Sequence, residues 1–376
     1  SMETLLFIAL ALLAYVYLVF PLLLAALSML PAAGAPGGKP PRVAVLIPAH
    51  DEGARIRAKL RNTLDCDYPA DSLEILVGAD GCTDDTEAAI REVNDSRVRV
   101  VIEPSRVGKT RIMNRLASEA EAEVLVLTDA DIWVAPGALR RLAAWFSDSR
   151  VGAVCGRRSD RAERLQGLGW PARLYNRYES AIKRGEGRLG RVLGADGCLY
   201  AVRRECYRPV PPGVPDDFVA VLRVLEAGRR VLYENGAESR ETLAPGAGYQ
   251  FRRKRRTVAR GMRGLWCVRG LMNPLRHPFT GFLLLSHKAL RWCTPFLMLA
   301  ALASVVLFLG GWAIFKHAWL PVFFLYFAIP LPGQLYTRLT MPLRLWAAHA
   351  STAILNLIPK LEASSQGVVI DVIYKG

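Results

Sequence analysis

The sequence predicts a mostly parallel α/β sheet set between apolar helices long enough to cross a membrane. Three observations predict it. Short strand-like runs, Val43–Ile47, Leu73–Val77, Val98–Ile102 and Val124–Leu127, alternate with segments of helical character. That βαβα order belongs to a sheet covered on both faces. Carboxylates gather where the runs end, at Asp51/Glu52, Asp80 and Asp129/Asp131, on the edge where such sheets bind ligands. Finally, the apolar excess sits at the two ends of the 376-residue chain and the charge in the middle. Apolar residues reach 52% although the formal net charge is +15 and the pI about 9.8. This combination fits a soluble domain attached to membrane segments, its basic surface turned to anionic lipid or an anionic substrate.

Thr4–Leu30 is almost wholly apolar and uncharged, longer than the about 20 residues a spanning helix needs. A signal peptide is the alternative, with Ala33-Gly34-Ala35 resembling a cleavage site. It is disfavoured by the length of the run and by Glu3 in place of a basic n-region. Ser1 ahead of Met2 reads as a cloning remnant. Lys39, Arg42, Arg55 and Arg57 follow the span, so the positive-inside rule puts the downstream side in the cytosol. Seven cysteines lie scattered without a close pair, against a disulfide framework or a zinc site and consistent with reduced thiols. The resulting division is a transmembrane helix over 1–30, a linker over 31–42, an α/β domain over 43–245, basic and interfacial helices over 246–293, and a membrane region over 294–376.

Within the α/β domain, helices are expected over Ala54–Leu64, from Thr83 or Asp84 through Val93, and from the 106–110 stretch through Ala120. Val124–Leu127 leads into Thr128-Asp129-Ala130-Asp131. Two carboxylates two apart in extended backbone point the same way, an arrangement suited to a hard divalent cation holding a phosphate; a plain strand-to-turn junction is the bland alternative. Gly108-Lys109-Thr110 fails the full P-loop pattern, because Glu103 stands where its first glycine belongs. Lys109 is then either a point charge for a phosphate or a solvated lysine near a helix start. Adjacent Asp216 and Asp217 after Pro215 would raise each other's pKa in a cleft, giving one the character of a base. Five consecutive cations, Arg252–Arg256, meet either lipid or substrate. Thr280–Trp292 reads as a helix lying in the membrane interface. Pro295–Phe315 and Ala318–Tyr336 read as spans joined at Lys316-His317. Pro342–Ile358 either spans or is re-entrant, and Glu362–Gly376 shows no strong pattern.

Taken in order, PAHDEG, GADGCTDDT, GK, TDAD, GADGCLYAVRR, PDDF and QFRRK resemble the membrane-bound branch of the family 2 glycosyltransferases. Cellulose, chitin and hyaluronan synthases and rhizobial chitin-oligosaccharide synthases belong to it. The resemblance covers about residues 43–256. It implies a GT-A fold binding a nucleotide-diphospho-sugar, a UDP-sugar foremost, with Pro48, Ala49, Glu52, Asp80, Lys109 and Arg253 at the nucleotide. It also implies Asp129 and Asp131 as ligands of Mg²⁺ or Mn²⁺ and Asp217 as general base, with Asp216 in place of the family's usual Glu. Gly194, Ala195, Asp196, Gly197 and Cys198 fall near the acceptor, together with Asp216, Gln250 and Lys254. Gln250 and Arg253 match the family's QxxRW, whose Trp is here Lys254.

The implied activity is inverting transfer of a hexosyl or N-acetylhexosaminyl unit to a saccharide or lipid-linked hydroxyl at the cytosolic face of the inner (plasma) membrane. Its partners would be donor, acceptor and membrane lipids, without nucleic acid, and with oligomeric state open. A single addition to a polyprenyl-phosphate or other lipid is the alternative within the class. A transporter or channel subunit with a nucleotide-sensing domain is the alternative outside it; few spans exist to supply the polar groups of a pore.

Overall fold

The computed structural model describes residues 2–31, 34, 37–159, 169–195, 197–241, 260–273, 275–326, 361–366 and 369–374, with isolated positions between 349 and 356. Eight strands form the main sheet: β1 (Val43–Ala49), β2 (Leu73–Asp80), β3 (Val98–Glu103), β4 (Val124–Thr128), β5 (Ile132–Val134), β6 (Val151–Arg158), β7 (Leu199–Arg203) and β8 (Arg230–Glu241). Their order is β3-β2-β1-β4-β7-β6-β8-β5. The first four are mutually parallel as the sequence predicts. The other half is mixed, because β7 is antiparallel to both β4 and β6, and β5 to β8. The order reverses at β1, which pairs with β2 on one side and β4 on the other. A crevice opens beyond the strand ends at such a switch point.

β1 and β4 read as apolar runs because both faces are buried, and alternate residues serve opposite cores. Val43, Val45 and Ile47 of β1 meet Ile56 and Leu60 of α2 (Gly53–Leu64). Ala44 and Leu46 share the other core with Met113 and Leu116 of α4 (Lys109–Glu119). Each such aliphatic side chain, wholly withdrawn from water, stabilises by about 1.5–3 kcal/mol. The short α3 (Thr86–Arg91) and α5 (Ala138–Ala144) lie with α2, whereas α6 (Gly169–Arg188) and α7 (Asp216–Glu226) lie with α4.

The N-terminal helix α1, Glu3–Ser28, is long and apolar enough to cross a membrane, as is Thr294–Trp312. Phe20 and Leu24 of α1 join the core on the α4 side of the sheet. There α1 crosses α6 at Gly185, where an added Cβ would lie 2.2 Å from the Leu24 carbonyl oxygen. Only glycine admits so close a backbone approach.

Three expectations change. The second predicted span begins within a helix rather than after a turn: Thr294–Tyr326 runs through Lys316-His317, and its break lies earlier, at Gly311 (φ +62°). A glycine in the left-handed region interrupts a helix where two polar residues do not. The 278–292 segment is helical, Pro278–Leu283 passing through a π-helical stretch into Leu290–Trp292, but its polar residues turn inward. His287 is buried while Phe279 and Phe282 are exposed. Acidic partners on α6 draw the polar face onto the protein. The C-terminal stretch without pattern holds β9 (Leu361–Gln366) and β10 (Val369–Tyr374), paired antiparallel. Pro342–Ile358 lies almost wholly outside the described residues.

Candidate active site

The carboxyl edge beside the switch point collects most of the singled-out residues. Pro48 and Ala49 end β1 and pair with Gly78 and Ala79. The chain then turns through Asp51, whose φ of +53° is one of two positive values outside glycine among the described residues. The strain is held by Asp51 itself, whose carboxylate accepts from the Thr83 amide at 2.7 Å. That bond holds its pKa below the usual carboxylate range. Asp84 accepts from the Gly53 and Thr86 amides at 3.0 Å each. Asp51, Cys82 and Asp84 bring ligand atoms within 4.8 Å of one another, but these bonds give the two acids the task of bracing loops. The Glu52 amide donates to Thr86 Oγ1 at 2.8 Å, while burial raises the Glu52 carboxyl against the pull of Arg55.

Asp80 is buried, and both its oxygens are engaged, accepting from the amides of Val107 at 2.6 Å and Gly108 at 2.8 Å. It therefore fixes the loop that opens α4, a contact unseen in the sequence. Lys109 begins α4 and is paired with carboxylates rather than simply solvated. Its Nζ lies 2.7 Å from Asp129 Oδ1 and 3.6 Å from Asp216 Oδ2. Desolvation would lower this lysine, yet Asp129 and Asp216 overcome it and hold the ammonium above its ordinary value.

Asp129 and Asp131 do not sit on extended backbone. The Ile132 amide donates to the Asp129 carbonyl at 3.2 Å, closing a tight turn between β4 and β5. The reason is topological: β5 leaves β4 to pair with β8 at the far edge of the sheet. The turn is gripped from below. Lys59, only 4% exposed on α2, donates from Nζ to Thr128 Oγ1 at 3.1 Å and to the Ile132 carbonyl at 2.6 Å. Burial pulls its pKa down to about 8, against Cys66, Asp129 and Asp131. Asn62, one turn on, exchanges two bonds with the Val134 backbone, at 2.9 and 2.8 Å. Neither residue was singled out in the sequence. The available signal was periodicity, because Ile56, Lys59, Leu60 and Thr63 fall on one helical face.

The acceptor loop and the adjacent acids also meet. Antiparallel pairing sets Leu199 of β7 opposite Thr128, and Thr128 Oγ1 donates to the Cys198 carbonyl at 2.8 Å. The Ala195 amide donates to the Asp217 carbonyl at 3.2 Å. Gly194 packs against Phe218, and an added Cβ at Gly197 (φ +75°) would stand 2.9 Å from Asp217 Oδ2. Glycine at 197 thus keeps that carboxylate accessible. Asp216 and Asp217 open α7 after Pro215. Burial pushes the Asp217 carboxyl up to about 7, with the Asp216 charge adding to it. The adjacent acid is therefore the second cause of the shift rather than the first. Asp196, Gln250, Arg253 and Lys254 lie outside the described residues. Trp266, the nearest aromatic downstream, is exposed and stacks with Arg269, 5.1 Å from guanidinium to ring.

An α/β crevice at a switch point, with a two-aspartate turn joined through Lys109 to the Asp216–Asp217 pair, defines the class. Residues 40–262 match the model of the glycosyltransferase like family 2, and the chain belongs to that family. Residues 245–376 match the transmembrane exosortase model. Glycosyltransferase AglD of Haloferax volcanii is 33% identical over 215 residues, 54% of this chain and 33% of the relative. An N-acetylglucosaminyltransferase of Mesorhizobium japonicum is 26% identical over 262 residues, 63% of this chain and 61% of the relative. The chain thus spans less than two thirds of either relative's length. The mannosyltransferase PcManGT of Pyrobaculum calidifontis, solved with GDP-Man and Mn²⁺, superposes with a TM-score of 0.66. The match covers 95% of this chain and 99% of that one, at 24% identity. The fold is GT-A.

Proposed function

We propose that the protein transfers a sugar, with inversion, from a nucleotide-diphospho-sugar to a hydroxyl of a saccharide or lipid-linked acceptor at the membrane face. The observation that carries this reading is the convergence of Asp129, Lys109, Asp216 and Asp217 over the switch point. Carboxylates are the donors that Mg²⁺ or Mn²⁺ takes, and one cation, the Lys109 ammonium, already stands among them. The donor set fits such a metal, which Asp129 and Asp131 would hold. When bound, the metal supplies neutralisation of charge on the departing diphosphate. Pro48, Ala49 and Glu52 border the nucleotide, and Asp80 fixes the 107–108 loop beside it by accepting from both amides. Asp217, with a carboxyl near 7, takes the acceptor proton as the oxygen attacks the anomeric carbon. The test is a screen of nucleotide sugars with purified protein, reading released nucleoside diphosphate. No release from any donor would sink the reading.

The acceptor reading is a short product or one added sugar. Lys254 replaces the family's aromatic at QxxRW, and an ammonium offers no flat face to a growing chain. Sizing the product by mass spectrometry tests it, and a high-molecular-weight polymer would refute it. The α/β domain is placed in the cytosol, behind an N-terminus on the far side of the inner membrane. Reporter fusions after Ala35 and Ser239 are expected to report cytosol; an extracytosolic signal at Ser239 would reverse the topology.

A further inference from the structure

We propose that Lys59 is a positioning residue for the metal, holding the Asp129–Asp131 turn in its binding shape before any cation arrives. The inference rests on the assignment of Asp129 and Asp131 as metal ligands. Three observations carry it. The Lys59 ammonium spans the turn, bonding Thr128 on one side and the Ile132 carbonyl on the other. It is buried with its helix, so it was withdrawn from water to make those two bonds. A lysine left there without a task would cost stability that a methionine would not. Moreover, Thr128 relays the contact through its hydroxyl to the Cys198 carbonyl. One ammonium thus links α2, the two-aspartate turn and the acceptor loop.

Two effects of the charge oppose each other. A cation behind two carboxylates repels an incoming metal, so deleting it would by electrostatics alone tighten binding. It also offsets the mutual repulsion of Asp129 and Asp131 and fixes the backbone that aims them. Groups behind the ligands typically change metal affinity about 10–100-fold, and the two-sided grip makes geometry the larger effect. Lys59→Met keeps the length and apolar stem of the side chain and removes both bonds. Asn62, which holds β5 independently, keeps the strand in place.

The experiment is Mn²⁺ binding by electron paramagnetic resonance, with full-length protein in detergent, in the presence of UDP and separately of GDP. Thermal unfolding is recorded in parallel. Lys59→Met is expected to weaken Mn²⁺ about tenfold or more at near-unchanged unfolding temperature. Thr128→Val, which leaves the ammonium one acceptor short, is expected to weaken it by less. If Lys59→Met fails to fold, Thr128→Val decides alone: wild-type affinity overturns the proposal. Unchanged or tighter binding in folded Lys59→Met overturns it as well. So does a drop in unfolding temperature without loss of Mn²⁺, the mark of a purely structural lysine. Wild-type protein that binds no Mn²⁺ with either nucleotide overturns the metal assignment itself, and the inference with it.

Discussion

Two amphipathic helices bury cations on the face they turn to the α/β domain, and they satisfy them differently. On α2, Lys59 meets neutral oxygens, a hydroxyl and a carbonyl. On the 278–292 segment the partners are carboxylates of α6. His287 Nδ1 lies 2.6 Å from Glu186 Oε1, and Arg291 lies 2.5 Å from Glu179. Arg291 also approaches His287 Nε2 at 3.3 Å. Since a guanidinium only donates, His287 is the neutral tautomer that donates from Nδ1 to Glu186. The difference separates two uses of buried charge. Paired carboxylates on α6 clamp a membrane-flanking helix in one place. The ammonium of Lys59 is held by neutral oxygens instead, behind the turn that carries Asp129 and Asp131.

The sharpest break in that comparison lies at the acids themselves. Asp217→Asn is expected to lower transfer about 10²–10⁴-fold while nucleoside diphosphate still binds, measured by calorimetric titration. A dead Asp216→Asn beside an active Asp217→Asn would reassign the base. Asp131→Ala is expected to cost about 10²–10³-fold without unfolding, and EDTA should silence the wild type; full activity in EDTA would refute a metal-dependent turn. On the clamp side, Glu186→Ala removes the acceptor of the His287 Nδ1 proton and leaves Glu179 as the nearby carboxylate. Leaving that buried donor unsatisfied costs about 1–3 kcal/mol, read as a lower unfolding temperature in detergent. An unchanged value would mean that the clamp does not hold the segment.

Two pH limbs should separate the sites more finely. Activity needs Asp217 ionised, so kcat/KM is expected to rise with pH through about 7. Lys109 already lowers that limb, and a bound metal would shift it further down. The clamp responds in acid. Burial and Lys288 hold His287 below its ordinary value. Burial would raise Glu186, but His287 and Lys288 outweigh it and hold it low. Both groups are deprotonated more readily in the fold than in the unfolded chain. Their stabilisation is therefore full above about pH 6.5 and is lost first at His287, then at Glu186, as pH falls. A melting temperature flat from pH 8 to 5 would contradict this.

What the sequence shows and what it hides follow from the same physics. β1 and β4 are legible because burial on both faces leaves a continuous apolar run, and β2 and β3 because a single charge, Glu74 or Arg99, interrupts an otherwise apolar one. β8 is not, since Glu234, Glu238 and Arg240 interrupt it, and its place depends on pairing with β6 and β5, far away in the chain. The identity of the two aspartates is legible as a motif. Their turn is not, because the path of β5 to the far edge of the sheet decides it. Asp217 is legible as an acid beside an acid, whereas the burial that mainly shifts it belongs to the assembled cleft. Lys59 hides behind the expectation that lysines face water, and only its place in the stripe of Ile56 and Leu60 betrays it. The inward turn of His287 is hidden for the opposite reason: its partner Glu186 is a hundred residues earlier in the chain.

Gly185 has a mechanical consequence. With Glu3–Ser28 set in a bilayer as proposed, the backbone contact of α6 with Leu24 is a rivet between the anchor and the domain. At Gly185 the two backbones meet with no Cβ between them, and Phe20 and Leu24 pack beside that contact, so the first span resists twisting or sliding against α6 alone. The depth and tilt of that span then fix the height and attitude of the crevice above the lipid headgroups. A bilayer that thins beneath the span must tip the whole domain with it.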